Sequence, residues 1–193
     1  GLVQEMAKTY VKKETSGSNI AFLKPVLISP EMRELQTKLH RDNVAYGVGG
    51  GKHAQTVIDL VEKTGLKNVL DYGCGKSYLQ KNLPFPIFEY DPAITGKDEP
   101  PRPADIGVCS DVLEHIEPEN LNFVLDDLKR CVRQVGYFVI HLGAAQKTYA
   151  DGRNAHLIQK PADWWAKKVG KFFDVGTTQQ KGHELHLDLS PKT

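Results

Sequence analysis

The sequence predicts an α/β domain with a mostly parallel sheet and one antiparallel strand near an edge, and three observations predict it. Strand-like apolar runs and helix-like segments alternate beyond Gly65, the pattern of a parallel sheet with crossover helices. The run KNVLDY leads straight into the glycine turn DYGCG, as at the carboxyl edge of an open α/β sheet. The last two runs, KFFDVG and HELHLDL, are separated only by the polar TTQQKG, which suits a hairpin and not a crossover.

With 193 residues and 40% apolar content, one domain with a single sizeable core is expected. Residues 1–24 contain KKETSGSN, polar and turn-rich, and read as a mobile arm; residues 25–193 read as the domain, with 25–66 forming a helical cap. Ser29, Pro30 and Glu31 supply a cap, a first-turn proline and a first-turn acid, which predicts a helix over 30–41. After the glycine-rich AYGVGGGKH, Val57, Ile58, Leu60 and Val61 recur at helical spacing until Gly65 ends the element. The strand KNVLDY follows, then a short helix after Gly75, the strands PIFEYD and ADIGVCS, a helix opened at Pro118 and the strand GYFVIHL. A helix over 161–170 and the terminal strand pair complete the chain.

Composition narrows the partners. Lys and Arg number 25 against 24 Asp and Glu, so no global charge drives the chain towards nucleic acid or an anionic membrane. Cys74, Cys109 and Cys131 are widely spaced and form no CxxC pair, which fits reduced thiols and not a disulfide or zinc framework. No apolar run reaches membrane-spanning length and no signal-peptide pattern opens the chain, so a cytoplasmic protein is expected.

The most informative run is VLDYGCGKS, residues 69–77. A P-loop would need glycine five residues before Gly75, where Leu70 stands inside the strand. A dinucleotide fingerprint would need glycine three residues after Gly75, where Tyr78 is too bulky for close helix–sheet packing. Asp71, at the mouth of the loop, would repel a pyrophosphate and attract a cationic amine. A second carboxylate, Asp91, ends the next strand, where an acid holds ribose hydroxyls in nucleotide-binding sheets. A ribose and a cationic end without a pyrophosphate point to S-adenosylmethionine.

DYGCG, FEYDPA and CSDVLEHI together resemble the three central motifs of the class I S-adenosylmethionine-dependent methyltransferases, over roughly residues 45–190. The resemblance implies a Rossmann-like sandwich in which Asp71, Gly73 and Gly75 surround the methionine end of the cofactor and Asp91 binds its ribose. Ser110, Asp111 and Val112 would lie along the cofactor near the transferred methyl, with Tyr46 and Gly47 closing over it. In one respect the chain departs from the family. Between Asp91 and Asp105 the family has a helix, an edge strand and another helix, whereas PAITGKDEPPRP is short and proline-rich. Six strands are therefore expected, with the one ending at Asp91 at the edge, and Asp98 is the nearest acid to serve the adenine.

Methyl transfer needs a positioned acceptor, and a base when the acceptor is a hydroxyl. His115, His141 and His156 are the candidates, together with Asp111, because the topology would bring their segments to one carboxyl edge. His156 is the first choice for acceptor contact, flanked by Arg153 and Asn154, which would orient a polar acceptor. Asp111, Glu114 and His115 also resemble the acid-x-x-Glu-His run with which some hydroxyl-directed methyltransferases hold a divalent metal ion; that reading carries with it an RNA or nucleotide hydroxyl as acceptor. Residues 141–171 are locally basic, with Lys147, Arg153, Lys160, Lys167, Lys168 and Lys171 against Asp151 and Asp163, which would guide an anionic acceptor. The same helix also reads as a buried tryptophan with a solvated lysine face. NPPY-like and Pro-Cys signatures are lacking, which disfavours duplex DNA. The expected activity is methyl transfer to an oxygen or nitrogen of a small molecule. The rivals are a binding module that has lost turnover and, disfavoured by the missing third glycine, a nicotinamide-dependent oxidoreductase.

Overall fold

The computed structural model describes residues 26–192, and the arm expected over 1–24 lies outside them. The strands are β1 Val69–Tyr72, β2 Phe88–Tyr90, β3 Ala104–Ser110, β4 Val132–His141, β5 Phe173–Lys181 and β6 Glu184–Pro191. They form one six-stranded sheet in the order β2-β1-β3-β4-β6-β5. Strands β1 to β4 pair in parallel, and β6 runs antiparallel between β4 and β5. The helices are α1 Pro30–Asp42, α2 Ala54–Thr64, α3 Tyr78–Lys81, α4 Leu121–Cys131 and α5 Ala162–Val169.

Helix α1 starts where its signals place it: the Ser29 hydroxyl accepts the Met32 N–H at 3.0 Å. Helix α2 ends at Gly65, in the left-handed conformation (φ 71°) that a Cβ disfavours. The helix expected at Pro118 begins only at Leu121. The reason is Glu117, whose buried carboxylate accepts from Ser29 N–H (2.8 Å) and Asn120 Nδ2 (3.0 Å), tying the starts of α1 and α4 together through a turn. The hairpin also differs in detail. TTQQK is itself strand, and the reversal falls on Gly182 and His183. Polar residues suit β5 because most of this edge strand is exposed, where hydroxyls and amides remain solvated.

The sheet is covered on both faces. On one, Leu121, Leu125 and Leu128 of α4 and Trp165 and Val169 of α5 pack on Leu70, Phe138, Ile140 and Leu187. On the other, Ala54 and Val57 of α2 and Leu79 of α3 meet Ile106, Val108 and Val139. Helix α1 touches neither face. Its Met32, Leu35 and Leu39 pack on Tyr149, Ala155 and Leu157 of the loop between β4 and α5, so it caps the carboxyl edge of the sheet. Trp165 is fully buried, and its indole N–H has no partner among the described residues. Trp165→Ala is expected to cost ~3–5 kcal/mol in chemical denaturation, while Trp165→Phe, which removes the orphan donor, should cost far less.

Among the described residues β2 is an edge strand with β1 as its only partner, as the short PAITGKDEPPRP predicts. The segment after it folds straight back: Asp91 N–H donates to Lys97 O at 2.9 Å, and Lys97 pairs with Glu89 at 3.2 Å. Asp98 faces outward, with its carboxylate on Gly96 N–H and 3.7 Å from Arg33, and does not line the cavity below. The expectation that it serves the adenine is therefore corrected.

Candidate active site

A cavity of about 590 Å³ opens at the carboxyl edges of β1, β2 and β3, beneath α1 and the 3-10 turn Gly49–His53. Tyr46, Gly47, Asp71, Gly73, Gly75, Asp91, Ser110, Asp111, Val112, His115, His141 and His156 all line it. The residues singled out for cofactor or acceptor, apart from Asp98, Arg153 and Asn154, are thus brought to one space. The α5 lysines do not line it, and of the basic stretch only Lys147 does, so guidance of an anionic acceptor by α5 is not what this geometry offers. Lys160 and Lys168 instead lie over the Trp164 ring.

The glycine loop is held from three sides. Gly73 has φ 84°, and a Cβ there would lie 2.3 Å from Val112 Cγ2. Gly75 has φ 50°, and a Cβ there would lie 2.7 Å from the Gly47 carbonyl, which accepts the Lys76 N–H. The side chain that suggested a P-loop, Lys76, turns away from the cavity and caps the end of α1, with Nζ 2.6 Å from Asn43 O. Asp91 accepts Gly75 N–H and Ala93 N–H, both at 2.9 Å, so it shapes the loop while also lining the cavity. Gly73→Ala is expected to destabilise the fold and abolish cofactor binding, with stability only partly restored in Gly73→Ala/Val112→Ala, because shortening Val112 removes the clash but not the φ strain. Thermal melts of the two variants measure the difference.

The electrostatics are set by burial. Asp71 is pushed up to about 7, by burial first and then by the like charges of Glu89 and Asp91. His115 is pushed down to about 3, by burial first and then by neighbouring His156; it is a neutral ring at every physiological pH. His156 is lowered by burial, and His141 adds to the shift. The rings of His115, His156 and His141 are neighbours, with centroids 4.7 and 4.8 Å apart in turn, and His183 stacks on His141. Each outer partner fixes a tautomer. His115 Nδ1 donates to Ala155 O and His156 Nδ1 to Gly143 O, both at 2.7 Å, which leaves each Nε2 as an acceptor.

Two expectations are corrected here. Asn154 does not face an acceptor: its amide is spent on Ala145 N–H, Ala145 O and His156 N–H, bracing the loop that carries His156. Arg153 is exposed, paired with Asp151 at 2.6 Å and Glu31 at 3.7 Å. The metal set Asp111, Glu114 and His115 is also not the one the fold gathers. Asp111, at φ 55°, points to Lys52, which bridges it (3.4 Å) to Glu184. Glu114 and His115 lie instead with His156, one ligand atom of each within 4.8 Å of the others. Residues the sequence reading missed are His40, from α1, and His183, from the hairpin turn; both line the cavity, and nothing local in the chain marks them as near Asp71 or His141.

A glycine loop with a buried acid after β1, a second acid after β2 and an SDVLEH turn after β3 give the chain the fold of the class I S-adenosylmethionine-dependent methyltransferases. No protein-family model matches it and no curated protein matches it. Solved structures do. Burkholderia thailandensis 1,6-didemethyltoxoflavin-N1-methyltransferase, with bound 1,6-didemethyltoxoflavin and S-adenosylhomocysteine, superposes with a TM-score of 0.60 at 14% identity, covering 95% of this chain and 94% of that one. DhpI in its SAH complex gives 0.58 at 15% identity, over 84% of this chain and 98% of that one. Magnesium protoporphyrin IX methyltransferase from Synechocystis PCC 6803 with bound SAH gives 0.51 at 16% identity, over 78% and 88%. Among the described residues no helix is long and apolar enough to cross a membrane.

Proposed function

We propose that the protein is an S-adenosylmethionine-dependent methyltransferase acting on an oxygen or nitrogen of a small acceptor. The observation that carries this reading is a single cavity lined both by Asp71 and the glycine loop and by the imidazoles of His115, His141 and His156. Asp71 pairs with the cofactor ammonium, Gly73 and Gly75 let backbone approach its carboxylate, and Asp91 binds the ribose. Ser110, Asp111 and Val112 flank the sulfonium, and Tyr46 and Gly47 close the cap over it.

S-adenosylmethionine would supply the methyl group to the acceptor lone pair and leave as S-adenosylhomocysteine, while His156 Nε2 would take the acceptor proton. A depressed pKa suits that role, since the ring is neutral near pH 7 and free to accept. The neighbours support the reading through the molecules bound to them, 1,6-didemethyltoxoflavin and S-adenosylhomocysteine among them. Calorimetry with S-adenosylhomocysteine tests the cofactor half, and transfer of label from methyl-labelled cofactor into a small-molecule extract tests turnover. A folded chain that binds neither cofactor form would overturn the proposal, and one that binds but never transfers label would be a binding module.

A further inference from the structure

We propose that Lys52 is a positioning residue for the transfer step: it holds the Asp111 carboxylate and offsets its charge, so that a bare anion in the cavity wall does not favour the sulfonium of the cofactor over the transition state. The inference rests on the methyl-transfer reading, which sets Asp111 beside the sulfonium.

Three segments meet at this ammonium. Lys52 belongs to the 3-10 turn Gly49–His53 of the cap, Asp111 to the turn after β3, and Glu184 to the start of β6. Lys52 Nζ lies 3.4 Å from Asp111 Oδ2 and pairs with Glu184 Oε1. The local geometry explains the reach. In a 3-10 turn residues i and i+3 eclipse, which sets Lys52 above Gly49. A Cβ at Gly49 would lie 2.5 Å from Asp111 Oδ2, so glycine there lets the carboxylate come under the turn. Asp111 is itself fixed, with φ at 55° and its N–H donated to Val139 O at 3.0 Å. Asp111 lines the cavity, whereas Lys52 and Glu184 do not, so the ammonium meets the site through the Asp111 carboxylate.

Methyl transfer leaves a neutral thioether where S-adenosylmethionine carried a positive sulfonium. A free carboxylate beside that sulfonium would stabilise the bound substrate more than the transition state, which raises the barrier. A carboxylate paired with an ammonium exerts a much weaker field. His53 and His186 are the other titratable groups at the cluster, and His186 Nε2 lies 3.4 Å from Glu184 Oε2. Burial lowers both rings, so near pH 7.5 they are neutral and do not replace the ammonium.

In calorimetry at pH 7.5, Lys52→Met should raise affinity for S-adenosylmethionine relative to S-adenosylhomocysteine. The expected change is about three- to fivefold, the upper part of the range for a pair whose side chains are 47% and 25% exposed. Turnover should fall by a similar factor with the KM for S-adenosylmethionine not raised, and Lys52→Arg should restore both. A turn that had only loosened would weaken the two forms alike and leave their ratio unmoved. In an Asp111→Asn background, Lys52→Met should change the ratio little, because the group it releases is gone. Asp111→Asn alone should keep the ratio near that of the wild type, since the charge it removes is already offset. An unmoved ratio in Lys52→Met, or an equal rise in the Asp111→Asn background, overturns the inference while the methyl-transfer reading stands, because both forms still bind. A severalfold fall of the ratio in Asp111→Asn overturns it even where Lys52→Met does not fold. Wild-type protein that binds neither form overturns the reading and the inference together.

Discussion

Asp71→Asn is expected to weaken S-adenosylmethionine and S-adenosylhomocysteine by on the order of 10²- to 10³-fold, the ~3–5 kcal/mol range for removing one partner of a buried ion pair. The same substitution should make the free protein more stable at pH 8. In the folded chain the carboxyl is pushed up to about 7, by burial first and by Glu89 and Asp91 next. The unfolded chain ionises it near its ordinary value, so between about pH 4 and 7 the unfolded state loses a proton that the folded state keeps, and stability falls as pH rises, levelling off above 7. Asparagine removes that penalty. Opposite signs on binding and on apo stability distinguish a functional acid from a structural one.

Cofactor affinity in the wild type should carry the matching signature. Pairing with an ammonium requires the ionised carboxylate, so affinity should fall about tenfold for each pH unit below 7 and be flat above it. Calorimetry between pH 5.5 and 8.5 in buffers of different ionisation enthalpy reads both the slope and the proton released. An affinity independent of pH would sink the assignment of the ammonium to Asp71.

His156→Ala is the second large effect. Turnover on a hydroxyl acceptor should drop by about a hundredfold or more, with S-adenosylhomocysteine affinity nearly unchanged. The ring is buried, oriented through Gly143 O and adjacent to His115 and His141, so no second imidazole lies in the same place to replace it. The split between turnover and cofactor affinity matters more than the size of the loss. Should cofactor affinity collapse in parallel, His156 supports the 143–156 loop and does not contact the acceptor.

Much of the Asp71 end of the candidate site was legible along the chain, because its parts are local. Asp71, Gly73 and Gly75 lie within a single strand–turn unit, where an apolar run, a glycine spacing and the chemistry of one carboxylate already limit the ligand. The six-strand sheet with β2 at its edge was also readable, since PAITGKDEPPRP is too short and too rich in proline to hold a helix, a strand and a second helix. Hydrophobic periodicity and turn chemistry act over a few residues, so sequence alone determines what they control.

The acceptor end was decided only by tertiary structure. Nothing near Asp111 in sequence indicates that Lys52 and Glu184 draw its carboxylate away from Glu114 and His115, because both arrive through the cap and the last hairpin. Asn154 looked like an acceptor contact until the loop it braces was in place, since an amide's partners depend on which backbone groups other contacts have left unpaired. His156 meets His115, and His183 meets His141, across separate segments whose spacing carries no periodic signal. Residue type and local pattern specify which element forms; which side chains converge follows from how whole elements pack, and that packing is settled by the burial of Trp165, Phe138 and Met32.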